Sequence, residues 1–119
     1  MSEFINELDS NVKKMAWPVI MPEDFKNLLS ASQNIAIIDV REPEGCCFSS
    51  ENIDNKHVYN IPFNSIVSEF PKHDFSSYET IIMICFAGPK GAVAASILRW
   101  MGNNNVYFLK GGIEEFSSL

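Results

Sequence analysis

A cysteine followed closely by two glycines and a lysine is the arrangement in this chain best suited to chemistry. It lies in Cys85-Phe86-Ala87-Gly88-Pro89-Lys90-Gly91, between the apolar run Ile81-Ile82-Met83-Ile84 and the alanine-rich Ala92-Val93-Ala94-Ala95. The first run reads as a buried strand and the second as a buried helix. The thiol therefore stands where a strand ends and amides run into a helix N-terminus, a position that stabilises a sulfur anion. The thiolate is the nucleophilic form of cysteine. Gly88 and Gly91 remove side-chain bulk, which lets amides of residues 86 to 91 curl around one point above the sulfur. Pro89 supplies no amide. Lys90 either places a positive charge at the mouth of this loop or is a solvated residue at the helix start. No general base adjoins Cys85, and exchange at an S–S bond requires none: a thiolate attacks, and a thiolate or sulfite leaves. The alternative is an inert core cysteine; the strand-end position and the glycines argue for catalysis.

Other residues are open to two readings. Cys46 and Cys47 are adjacent in the loop after Val40. One of them is a second thiol, resolving or relaying sulfur beside Cys85, or both are ordinary loop residues. A disulfide between neighbours is strained, and adjacent cysteines lack the spacing of a structural zinc pair. Asp39 and Arg41 lie two apart at a strand end and so share a face. They are expected to form a structural pair, a substrate role for Arg41 being the lesser alternative. His57 and His73 have no acidic or cysteine partner nearby in sequence and read as surface or strand-cap residues. Nothing in the sequence signals a metal or an organic cofactor.

The elements that must hold these residues alternate between helix and strand. Phe4, Ile5, Leu8, Val12 and Met15 recur at helical spacing, which predicts a helix from Ser2 to about Lys14. Trp17-Pro18 ends it. Val19 to Met21 is a short strand, and Pro22-Glu23-Asp24 opens a second helix with Phe25, Leu28 and Leu29 inward. Residues 35–40 form a continuous apolar strand, the pattern of a parallel sheet covered on both faces. Val58 to Ile61 is the next strand, stopped by Pro62, and residues 65–70 form a short helix. Thr80 to Ile84 is the fourth strand. A nearly buried helix runs from about Gly91 to Met101, with Trp100 and Met101 expected in the core. Gly102-Asn103-Asn104-Asn105 turns the chain into a fifth strand, residues 106–109. Gly111-Gly112 then leads to a last helical piece. The pattern predicts an α/β three-layer sandwich on a five-stranded parallel sheet. Ligands of such sheets bind beyond the carboxyl ends of the strands, so the loop after Val40 and the Cys85 loop share an edge.

The chain has 119 residues, 46% hydrophobic and 20% charged, which suits one packed domain. Residues 1–17 read as a helical extension and 18–119 as the domain. Nine Lys and Arg against fifteen Asp and Glu give a net charge of −6, which argues against nucleic acid or an anionic membrane as partner. The N-terminus lacks the apolar core of a signal peptide, and the run from Ile81 to Ala87 is too short to span a bilayer. A cytoplasmic, reducing setting is expected. Three cysteines fit that setting better than a disulfide framework.

From about residue 19 to the end, the chain resembles the rhodanese family. Ile37-Ile38-Asp39-Val40-Arg41-Glu42-Pro43-Glu44 is similar to its first signature and Asn60-Ile61-Pro62 to its Asn-Ile-Pro turn. Ile84-Cys85 with Gly88, Lys90 and Ala94-Ala95 resembles its active-site loop and helix. Residues 105–113 resemble its closing strand and Gly-Gly turn. The resemblance implies a sulfurtransferase in which Cys85 takes sulfane sulfur from thiosulfate or a persulfide and passes it to a thiophilic acceptor. That acceptor is cyanide in vitro and a thiol or protein cysteine in the cell. It implies that Phe86, Ala87, Gly88, Lys90 and Gly91 bind the substrate sulfur, with Asp39 and Arg41 in support. Lys90 stands where the family usually has arginine. Cys85 to Lys90 spans six residues, the loop length of the family's sulfurtransferase branch; its phosphatase branch has one residue more. A non-catalytic binding module of the same fold, or a thiol redox protein using Cys85 with Cys46 or Cys47, are the alternative readings.

Overall fold

The computed structural model describes residues 2–14, 17–31, 34–46 and 57–118. Ile35–Asp39 is buried at every position, and Thr80–Ile84 at every position after the first. Such unbroken burial arises when both faces of a parallel strand are covered. With Val19–Ile20 as β1, Ile35–Asp39 as β2, Val58–Asn60 as β3, Thr80–Ile84 as β4 and Val106–Leu109 as β5, the sheet runs β1-β5-β4-β2-β3. Every neighbouring pair is parallel. The helices are α1 (Glu3–Lys14), α2 (Pro22–Ala31), α3 (Ile66–Glu69), α4 (Pro89–Trp100) and α5 (Gly112–Phe116).

Side chains alternate between the two sheet faces, and the core divides accordingly. Ala36, Ile38, Ile81 and Met83 pack on one face with Phe70, Phe75 and the α4 residues Ala94, Ala95 and Leu98. Ile35, Ile37, Ile82 and Ile84 pack on the other with Phe25 of α2 and Ile113 and Phe116 of α5. The result is the expected three-layer α/β architecture. Two details differ from the sequence expectation. Helix α4 begins at Pro89 rather than Gly91, because proline suits the first turn of a helix, where its missing N–H is not needed. Trp100 and Met101 are exposed, not core. The cause is the closeness of α4 to the sheet: a Cβ at Gly91 would lie 3.1 Å from the Met83 carbonyl oxygen. Only the slim side of the helix, Gly91, Ala94 and Ala95 with Leu98, fits inward, and Trp100 and Met101 turn outward; α1 also lies against α4. Among the described residues no helix is long and apolar enough to cross a membrane.

Candidate active site

Register brings the two loops together. Asp39 of β2 pairs with Ile84 of β4, and the Val40 amide donates to the Ile84 carbonyl at 2.9 Å. The chain therefore leaves both strands at one level, with Arg41 in one loop and Cys85 in the other. Gly88 has φ +115°, a conformation natural to glycine alone. It caps α4, and the chain bends back over the sulfur. The Gly88 amide donates to Cys85 Sγ at 3.0 Å and the Gly91 amide at 3.3 Å. Both belong to the N-terminal turn of the 12-residue α4, whose dipole adds positive potential at the same point. Cys85 is 4% exposed, whereas Phe86 is 57% exposed at the rim. Ala87, Pro89 and Lys90 are exposed, and Gly88 and Gly91 are buried. The structure thus brings Cys85, Gly88 and Gly91 into contact and leaves Phe86, Ala87 and Lys90 around the opening.

Beside this loop stands the Asp39–Arg41 pair. The Asp39 side chain is 0% exposed and that of Arg41 20%. Arg41 Nη2 donates to Asp39 Oδ2 at 2.8 Å and Nε to Oδ1 at 3.0 Å, and the Arg41 backbone amide also donates to Oδ1 at 3.0 Å. The guanidinium is held above its ordinary range, first by the hydrogen bond to Asp39. Burial opposes this, and the charges of Asp39 and then Cys85 add to it. The last contribution places Arg41 within electrostatic reach of the sulfur. Asn60 fixes the turn that carries the pair: its Nδ2 donates to the carbonyls of Asp39 and Arg41, each at 2.9 Å.

Cys46 is half-buried and disulfide-bonded, and Cys85 is a free cysteine; Cys47 lies outside the described residues. His57 Nδ1 lies 3.4 Å from the Tyr78 hydroxyl, which lies 2.7 Å from that of Tyr59. His73 is exposed and stacks on Phe75. His57 finds its partner, Tyr78, 21 residues away, and His73 finds an aromatic ring rather than an acid or a cysteine, so neither pairing is marked in the sequence. A cavity of about 510 Å³, lined by Phe75, Ile81 and Asn105 among others, opens at the amino end of β4, away from Cys85. Among the described residues no cluster of His, Cys, Asp and Glu is placed to hold a metal ion. Sequence reasoning missed one element of the site, the backbone of residues 111–114, which touches the Cys85 loop; the Gly111-Gly112 pair was its only signal.

Comparison with known proteins places this geometry in a wider set. The chain is 28% identical over 117 residues to the tRNA uridine(34) hydroxylase of Rickettsia prowazekii, a match that takes in 94% of this chain and 45% of that protein. The chain thus spans less than half the length of that relative. Among solved structures, it is similar to a rhodanese-related protein of Thermoplasma volcanium, with a TM-score of 0.67 and 22% identity over 86% of this chain and 92% of that one. It is equally similar to a Rhodopseudomonas palustris protein described as a possible tyrosine phosphatase, with a TM-score of 0.67 and 17% identity over 99% and 91% of the two chains. At those identities the likeness is one of fold. The family model of the rhodanese-like domain matches residues 21–119, and the chain belongs to the rhodanese-like domain family.

Proposed function

We propose that the protein is a sulfurtransferase that carries sulfane sulfur as a persulfide on Cys85. The observation that carries this reading is the pair of amides, Gly88 and Gly91, aimed at a buried strand-end sulfur. Amide donors and a helix N-terminus favour sulfur as an anion. In the first half-reaction the Cys85 thiolate attacks the outer sulfur of thiosulfate or of a persulfide. A new S–S bond forms at Cys85 while the donor's S–S bond breaks, and sulfite or a thiolate leaves with the electron pair. In the second, cyanide or the thiolate of a small thiol or protein cysteine attacks the outer sulfur, and the Cys85 thiolate leaves. No proton need be moved by the enzyme, which agrees with a loop that holds no general base.

Within the Cys85 loop the cation is Lys90, and its neighbours Phe86, Ala87 and Pro89 are uncharged. A single ammonium grips a sulfonate less well than a guanidinium fork, so a persulfide suits this opening better than thiosulfate. The six-residue span from Cys85 to Lys90 supports sulfur transfer over phosphate hydrolysis. Hydroxylation of tRNA, the activity named for the relative, is not carried over: the match takes in 45% of that protein, and a net charge of −6 opposes a polyanion. A reducing cytoplasmic setting would keep Cys85 and its thiol acceptors available.

Intact mass spectrometry tests the proposal. Incubation with thiosulfate or a low-molecular-weight persulfide should add one sulfur atom, about 32 Da, and the gain should vanish in Cys85→Ala. No adduct from either donor sinks the carrier reading. Starting from the fully reduced protein, a loss of two hydrogens that joins Cys85 to Cys46 or Cys47 would favour redox chemistry instead.

A further inference from the structure

The Cys85 loop is held from behind by the far end of the chain. The amide of Ile113 donates to the Cys85 carbonyl at 3.0 Å, and the amide of Glu114 to the Phe86 carbonyl at 2.9 Å. Gly112 lies flat against both groups. A Cβ built there would stand 2.4 Å from the Cys85 oxygen and 2.5 Å from the Phe86 oxygen, and its φ is +61°. Gly111 backs onto the cap of α4, where a Cβ at Gly88 would come within 3.2 Å of the Gly111 nitrogen. The start of α5 thus touches the loop at Cys85, Phe86 and Gly88.

A trans peptide is planar, with its C=O and N–H directed to opposite sides. Drawing the carbonyls of Cys85 and Phe86 toward α5 therefore turns the amides of Phe86 and Ala87 away from it. Gly88 and Gly91 already donate to Sγ. Among the described residues no acceptor takes the amides of Phe86 and Ala87. We propose that the Gly111–Glu114 turn is the positioning element of the sulfur cradle. By pinning two carbonyls it aims the Phe86 and Ala87 amides at the outer sulfur of the Cys85 persulfide. This rests on the persulfide reading above and adds a division of labour. The amides of α4 serve the cysteine sulfur, and the amides oriented by α5 serve the transferred one.

The two roles separate in experiment. Ile113→Pro deletes the N–H that holds the Cys85 carbonyl, and proline is tolerated in the first turn of a helix. Ile113→Ala loses the same packing against the α2 face but keeps the amide. Each variant is equilibrated with glutathione persulfide and the loaded fraction read by intact mass; its unloaded thiol is alkylated separately with iodoacetamide. An amide bond to a charged group is worth a factor of about ten or more. The loading constant of Ile113→Pro should therefore fall about tenfold below that of Ile113→Ala. Its alkylation rate should stay within about twofold of the control, since the Gly88 and Gly91 donors remain. Gly112→Ala, which pushes both carbonyls, should lose loading relative to wild type and serves if the proline variant does not fold. Equal loading by the Pro and Ala variants overturns the proposal, as does a parallel loss of loading and alkylation. A wild-type protein that loads no sulfur overturns the carrier reading itself, a result distinct from either.

Discussion

Removing the Arg41 guanidinium should cost far more than removing the charge it faces. Arg41→Met keeps the aliphatic stem but strips the buried Asp39 carboxylate of its Nε and Nη2 donors. Breaking a buried pair from one side costs about 3–5 kcal/mol, because it leaves an uncompensated charge. The Arg41 backbone amide survives as a donor to Oδ1 and offsets about 1 kcal/mol, leaving about 2–4 kcal/mol. For a chain of this length, about 4 °C per kcal/mol turns that into a drop in Tm of about 8–16 °C. Asp39→Asn is milder. The amide oxygen still accepts from the Arg41 backbone, and the arginine, its side chain 20% exposed, recovers water, so about 1–2 kcal/mol is expected. The double variant should cost less than the sum of the two by at least about 1 kcal/mol, since it no longer buries a lone charge. Urea unfolding of all four proteins at neutral pH closes the cycle. An Arg41→Met cost no greater than that of Asp39→Asn, or strict additivity, would refute the argument that the pair is buried and mutually dependent.

Two further outcomes test the rim and the far edge of the sheet. Lys90→Arg supplies a bidentate donor at the opening and should lower KM for thiosulfate about three- to tenfold relative to a persulfide donor; an unchanged ratio in steady-state assays would remove Lys90 from donor recognition. The Tyr78 hydroxyl is pushed up to about 12, first by its hydrogen bond with Tyr59, then by burial and the charge of Tyr59. The folded state therefore holds this proton more tightly than the unfolded chain. The resulting stability is fully present below pH 10 and is lost as the pH rises through about 12. The stability advantage of wild type over Tyr78→Phe should shrink across that window in urea titrations, and a constant gap would contradict it.

Much of the fold is legible in sequence for a simple reason. Central parallel strands are covered on both faces, so residues 35–38 and 81–84 appear as unbroken apolar runs that need no further information. The inward side of α4 was harder. Periodicity places the largest apolar residues inward, which would bury Trp100 and Met101. The decisive quantity is the distance from helix to sheet, and it is set at the contact of Gly91 with Met83. The Tyr59–Tyr78 pair was illegible because the two residues lie 19 apart, and only the pairing of β3 beside β2 brings the first of them into the cluster. Asp39–Arg41, two apart at a strand end, needed no such knowledge.

The site itself was readable where it consists of a side chain and unreadable where it consists of backbone. Cys85 announces itself; an amide does not, since every residue but proline has one. What a backbone cradle does leave in sequence is the absence of side chains where chains must touch. A Cβ would meet the Met83 oxygen at 3.1 Å from Gly91, the Gly111 nitrogen at 3.2 Å from Gly88, and the Cys85 oxygen at 2.4 Å from Gly112. These three glycines mark the contacts of α4 with β4, of the loop with the closing turn, and of that turn with the cysteine. Two of them, Gly88 and Gly91, lie in the Cys85 loop, where the missing side chains let the amides curl around the sulfur. The third lies 27 residues beyond Cys85 and read only as a turn. All three are where one segment of backbone leans on another, and that contact is what fixes the direction of each amide around the sulfur.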